Sequence, residues 1–325
     1  MVFAFDRWLM KFMPYMIPVI VILGVTGLQG AASLSVAIMF IFAFICFSGC
    51  LGIQYQDIKS SVLNPLPIII SLVIIQVIMP LIAFSVGTLY YSHSVDLLAG
   101  IVIAFTIPTG VATIMWVRMS GGNIGTALSI VLINTLLSPI LLPVTILLLL
   151  GARVSIDVVG MVGSLFLMIV FPSILGLWVT RRLPAATKQL SVYTSPLSKL
   201  AMLLLILINS AVVSPYLSTI DLNTIQLFLS VLGIACLGYT IGFLASILFK
   251  WHSSVLAAVT FSCGIRNTGV GAALAVVYFP PATALPIVLA IVFQQFLASI
   301  IQQVIRRYIN DQEGKLRAKG RFVRS

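Results

Sequence analysis

Acid is scarce in this chain. Its 325 residues include seven aspartates and glutamates and two histidines. Asp6, Asp57, Asp96, Asp157, Asp221, Asp311 and Glu313 all fall in predicted loops or near the termini, and His93 and His252 lie near predicted span ends. Carboxylate pairs for acid–base work, clustered aspartates for a magnesium diphosphate and a His-Glu-x-x-His zinc helix are therefore missing. The expectation is a protein that is not an enzyme and holds no cofactor. Charge of either sign is also rare: 8% of residues are charged and 61% are hydrophobic, which excludes a soluble domain of this length. The four cysteines, Cys46, Cys50, Cys236 and Cys263, sit inside apolar runs, where they read as small packing residues and not as disulfides or metal ligands. The net charge of +11 comes from short loops and the tail, where membrane topology accounts for it without a nucleic-acid partner.

What the sequence has in abundance is apolar segments. Ten can be counted, at 13–29, 33–52, 66–90, 97–118, 124–150, 158–179, 200–219, 226–248, 253–279 and 283–305, joined by short loops. The pattern predicts an all-α polytopic protein of the lipid bilayer. With the N-terminus inside, Arg7, Lys11, Lys59, Arg118, Arg181, Arg182, Lys188, Lys199, Lys250 and the basic tail 306–325 are cytoplasmic, and Arg153 is the loop cation left outside. The positive-inside rule then predicts a plasma-membrane protein with both termini in the cytoplasm. The first basic residues ahead of an apolar segment mimic a signal peptide, but nine further segments favour a retained first span. Residues 180–199 read either as an amphipathic segment on anionic headgroups or as a solvated basic loop, and the tail as a frayed end of the last helix.

Arg266 is the exception to this order. It lies thirteen residues from each end of the run Ser253–Phe279, roughly 20 Å of helix from either surface. An arginine there costs about 2.5–3.5 kcal/mol on insertion scales. Gly264, Gly269, Gly271 and Asn267 surround it, a poor recipe for straight helix. Irregular backbone and buried charge survive at that depth where protein or a water-filled cavity encloses them. The stretch reads as a functional site, with a structural arginine capping broken backbone as the competing reading.

Ten spans with both termini inside divide into two halves of five, the second inverted relative to the first: residues 1–155 and 156–305, followed by the tail 306–325. The fourth and ninth spans then correspond, and both are interrupted, the fourth at Pro108-Thr109-Gly110. Pro108 has no N–H to give the carbonyl of Ala104, so the helix must kink or break there. Paired interruptions in matching spans are the sequence pointer to a transport site. Thr106, Thr109 and Thr113, at i, i+3 and i+7, share one helical face as candidate polar lining, although threonine also satisfies itself against its own helix. Gln76, Asn134, Gln294 and Gln295 are further polar groups at depth, with helix–helix contact as the alternative for each.

Several of these motifs together carry a resemblance. Ser120-Gly121-Gly122-Asn123 followed by Thr135-Leu136-Leu137-Ser138-Pro139 resembles the loop and fifth span of the bile acid:sodium symporter family. Ser262-Cys263-Gly264-Ile265-Arg266-Asn267-Thr268-Gly269 is similar to that family's ninth-span Glu-Cys-Gly-x-Gln-Asn-x-Gly, and Gln76-x-x-Met79-Pro80 to its third-span Gln-x-x-x-Met-Pro, shortened by one. The resemblance covers essentially all ten spans. It implies a panel of spans 1, 2, 6 and 7 against a core of spans 3–5 and 8–10, with the fourth and ninth crossing at their breaks. Substrate would sit between panel and core, contacted by Arg266, Asn267, Thr268, Thr106, Thr109, Gly110 and Thr113.

The departures are specific. Where the family binds one sodium through a glutamate, a Ser-Asn pair and a fifth-span serine and threonine, this chain has Ser262, Thr113-Ile114, Ala127 and Val131. A hard cation needs oxygens and negative charge. At the second sodium position Gln76 stands, with Arg266 where the family has glutamine. The expectation is a carrier of a small organic anion in which Arg266, near Gln76 and Ser262, substitutes for a bound cation, so that sodium is not the coupling ion. A sodium-coupled symporter with displaced ligands and an exporter of related fold, such as the arsenite or auxin carriers, are the alternatives.

Overall fold

The computed structural model describes residues 2–51, 65–110, 112–154, 157–217 and 221–318. Asp57, Lys59, Lys319, Arg321, Arg324, the expected boundary at 155–156, and the side chains of Lys11, Gln295 and all residues beyond Asp311 lie outside the described residues. Among the described residues helix makes up about 90%, and there is no strand. The helices are α1 Val2–Thr26, α2 Gln29–Cys50, α3 Leu66–Tyr91, α4 Val95–Thr106, α5 Ala112–Met119, α6 Ile124–Leu150, α7 Val158–Arg182, α8 Pro184–Leu217, α9 Leu222–Leu248, α10 Ser253–Gly264, α11 Thr268–Tyr278 and α12 Leu285–Ala318.

Each apolar segment of the sequence falls on one helix or on a pair parted by a short break. Among the described residues, six helices (α2, α3, α6, α7, α8 and α9) are long and apolar enough to cross a membrane, seven spans if the bent α12 is counted. Large apolar side chains such as Phe40, Leu148, Val159 and Leu222 face outward. In water such a surface would aggregate, whereas in lipid it costs nothing. The chain is a multi-pass membrane protein.

Residues 180–199, read either as an amphipathic segment or as a solvated basic loop, are helical on both sides of Leu183. Leu183 alone separates α7 from α8, and α8 starts at Pro184, where a proline's missing N–H is harmless. Residues 185–195 contain no glycine or proline to stop it. Lys199 pairs with Asp6 of α1, and Ser195 donates to the same carboxylate, so this part of α8 is pinned to α1. The last helix likewise runs on into the tail as far as Ala318.

Pro80 in α3 and Pro172 in α7 shape their helices without ending them. Wider π turns at Ile74–Ile78 and Phe166–Val170 immediately precede Met79-Pro80 and Phe171-Pro172. A π turn makes room for a ring that would otherwise strike the carbonyl four residues back. All four cysteines are free, with Cys46, Cys50 and Cys263 buried and Cys236 at the surface.

Packing sorts the helices into neighbourhoods. α1, α2 and α7 each lie against α8 or against one another, while α3 packs on α4, α9 on α10, and α12 on α4 and α9. Glycine sets the closest approach. Gly238 and Gly242, four apart on α9, face α10: a Cβ on Gly238 would sit 2.8 Å from the Cys263 carbonyl oxygen, and one on Gly242 2.9 Å from Cys263 Cβ. Small residues at this spacing let two helix backbones pack directly where lipid offers no hydrophobic drive.

Gly242→Val should therefore lower the thermal unfolding temperature of the detergent-purified protein, with overpacking costing about 1–3 kcal/mol. An unchanged midpoint would contradict the close α9–α10 contact.

Candidate functional site at the crossing of two broken helices

Both interruptions follow from local chemistry. Ile107, held in extended conformation (ψ 149°) by the proline after it, ends α4. α10 ends at Gly264, and the β-branched Ile265 that follows is also extended (ψ 129°). The freed backbone groups need partners inside the protein, and they find them in each other. Thr109 and Arg266 form an antiparallel bridge, and the Asn267 amide donates to the Pro108 carbonyl at 2.8 Å. The Thr109 hydroxyl donates to the Ile265 carbonyl at 2.9 Å and lies 3.2 Å from the Thr113 hydroxyl. Gly110 admits this contact, since a Cβ there would stand 3.1 Å from the Arg266 carbonyl oxygen. α5 and α11 begin at this crossing, so their N-terminal N–H groups converge on it.

The predicted site residues separate into groups. Thr109, Gly110, Thr113, Arg266, Asn267 and Thr268 meet at the crossing. Thr106 does not share a helical face with the other two threonines, because the helix ends with it, and its hydroxyl donates to the Val102 carbonyl of its own helix. Gln76 lies in the π turn of α3 and donates to the Asn134 carboxamide of α6 at 2.6 Å, which ties two spans together. Ser262 is fully buried on α10 with an unpartnered hydroxyl.

Arg266 and Asn267 look in different directions. Arg266 is 4% exposed, and its three guanidinium nitrogens have no hydrogen-bond partner. It lines a small cavity of about 10 Å³ together with Ala104 and Phe105 of α4, Ala235 and Tyr239 of α9, and Gln294 of α12. None of the lining comes from α3, the helix of Gln76, or from α1, α2, α7 and α8. Asn267 is half-buried, and its carboxamide makes no cap bond to α11. Two residues on, Gly269 lies against Phe42 of α2. One side of the crossing thus faces the α9–α12 interior and the other faces α2.

Sequence reasoning undervalued two residues at this site. Gln294 accepts a hydrogen bond from the Arg266 amide at 3.2 Å. Tyr239 is 1% exposed and its hydroxyl is unpartnered. A phenol between Gly238 and Gly242, the two glycines of α9 that face α10, was the available signal.

The loop that opens the Gly-Asn motif has a structural role. Gly121 adopts a positive φ of 69°. The Asn123 side chain caps α6 at Thr126 while its amide donates to Ser254 of α10. The motif thereby ties α6 to the start of α10.

Residues 37–220, more than half of the chain, match the Sodium Bile acid symporter family. An uncharacterized protein YbaS of Bacillus subtilis (strain 168) is 37% identical over 297 residues, covering 91% of this chain and 97% of that protein. The chain belongs to the sodium bile acid symporter family. An uncharacterized sodium-dependent transporter, YocS, of the same organism is 28% identical over 79% of both chains. A probable sodium/metabolite cotransporter, the chloroplastic BASS2 of Oryza sativa subsp. japonica, is 22% identical over 77% of this chain and 59% of its own. The family match contains the α4–α5 break and stops short of the one at Arg266. Membership makes the chain a transporter-family protein with a small-molecule substrate in a membrane.

Thr109→Val should destabilise the protein by about 1–3 kcal/mol by leaving the Ile265 carbonyl without its donor, and Thr109→Ser should restore most of the loss. Thermal midpoints of the two variants that coincide would deny the hydroxyl its part in holding the crossing.

Proposed function

We propose that this protein carries a small organic anion across the plasma membrane without sodium coupling, with Arg266 in place of a bound cation. The observation that carries this reading is the Arg266 guanidinium, charged at all accessible pH, buried at the crossing and free of any acidic partner among the described residues. A positive charge already fixed at the crossing removes the need for a cation there. Together with the N-termini of α5 and α11 it favours an anion in the cleft beside Asn267, Thr268, Gly110 and Thr113.

The architecture we infer is two inverted five-span repeats, 1–155 and 156–305, with α1, α2, α7 and α8 as panel, the remaining helices as core, and both termini in the cytoplasm. Helix starts in the two halves support it. Leu66 is followed 156 residues later by another helix start, at Leu222, and Val95 after 158 residues by Ser253. The breaks fall in corresponding members, α4–α5 and α10–α11.

The ligand chemistry at the family's first sodium position also supports sodium independence. Ala127 and Val131 are buried apolar side chains. Methyl groups cannot replace the hydration shell of a hard cation. One observation favours a second reading, sodium coupling through displaced ligands. The oxygens of Ser129, Thr260 and Ser262 and Gln76 Oε1 are buried without partners on the mutually packed α3, α6 and α10.

The two readings part in one experiment, thermal unfolding of the purified protein in sodium and in choline buffer across a panel of small organic anions. A ligand that binds the folded state raises its stability by mass action, about 2.7 kcal/mol at a hundredfold excess over Kd. An anion that stabilises equally in both buffers, with the shift lost in Arg266→Gln, is the expected result. Stabilisation by sodium alone would refute the built-in cation and establish displaced sodium ligands.

A further inference from the structure

The cavity beside Arg266 differs in kind from the substrate cleft. It is lined by α4, α9, α12 and by Gly264 and Arg266 at the break between α10 and α11, and its volume of about 10 Å³ admits a particle of roughly water size. No organic anion fits, and no residue of α1, α2, α7 or α8 lines it. Three donors meet its walls. The guanidinium of Arg266 offers N–H groups with no partner, and the Tyr239 hydroxyl, also without a partner, offers an O–H. Gln294 gives its Oε1 to the Arg266 amide, which leaves its carboxamide nitrogen as a third donor. The remaining lining residues, Ala104, Phe105, Ala235, Gly264, Ala290, Phe293 and Leu297, bring no carboxylate.

We infer that this cavity is a site for a single monatomic anion of the halide class, which serves as the counter-ion of Arg266. Buried polar groups in native proteins are paired, and a buried charge unpaired by protein recruits its counter-charge from outside. A water molecule would satisfy the donors but leave the net charge in place at a depth where it is most costly. A chloride accepts from the guanidinium and the phenol together and lowers the cost of burying the charge, on the face of the crossing turned away from the cleft. The site requires a charged Arg266 and Tyr239, and is independent of which organic anion the protein carries or of sodium.

The test uses the full-length purified protein in choline chloride, choline bromide and choline gluconate at equal ionic strength, with unfolding temperature as the readout. Chloride and bromide should each raise it saturably above gluconate. Tyr239→Phe, which preserves shape, should raise the half-saturating halide concentration about tenfold, the value of one hydrogen bond to a charged group. Arg266→Gln should abolish the response. A halide response absent from the native protein, or of equal size in both variants, overturns the site. So does competition between chloride and a stabilising organic anion, because that would place both in one cavity. The organic-anion panel read separately in chloride and gluconate keeps the proposals apart. A sodium-independent organic-anion shift with no halide response removes the halide site alone, and a halide response with a sodium-dependent organic-anion shift removes the sodium-free carrier alone.

Discussion

A guanidinium that cannot lose its proton and has no acid beside it sets the terms for the surrounding fold. Its burial is costly in any apolar medium, more so at the centre of a bilayer than near a surface. The chain encloses it on all sides: α9 and α12 cover it, and the break in α4 crosses directly beneath its backbone. The scarcity of acid throughout the sequence has here a local meaning, because an acid in this cavity would cancel the charge permanently.

The crossing solves a second problem with the same residues. Two helices interrupted in a membrane expose carbonyls and amides that lipid cannot satisfy. Pairing the breaks as a short antiparallel bridge satisfies these groups mutually and needs very little side-chain bulk, so Gly110 lies against Arg266. The Thr109 hydroxyl then closes the last gap at Ile265. This arrangement makes the two interruptions interdependent, since neither could exist at that depth without the other. It also gives the crossing two faces of opposite character, a closed one toward α9 and α12 and one toward α2.

Much of this was legible in the sequence because the signals were strong and local. Long apolar runs separated by short loops placed the helices, Pro108 placed one break, and the glycines around Arg266 placed the other. Gln76 and Asn134 showed as polar groups at depth, but only the packing of α3 on α6 revealed that they bond to each other. The direction of the Arg266 side chain was hidden for the same reason. Periodicity assigns a residue to a face only while the helix continues, and here it stops at Gly264. Thr106 shows the same limit, since the shared face inferred for three threonines ends where the helix ends. The helical course of residues 184–199 was obscured by its basic residues, which read as well for a solvated loop as for an amphipathic segment although no helix-stopping residue interrupts them between Pro184 and Pro196. Tyr239 carried only a weak signal, one hydroxyl among several in its span, with Thr240 beside it and Ser230 and Ser246 on the same helix.

The hydrogen bond from the Asn267 amide to the Pro108 carbonyl belongs to neither helix. Its strength therefore owes nothing to helical cooperativity, and it breaks only when the two halves of the crossing part. An amide proton there exchanges with solvent after such a parting and the arrival of water. Deuterium uptake at this one backbone position is thus a counter of openings at mid-depth, readable without a substrate, a label or a coupling ion.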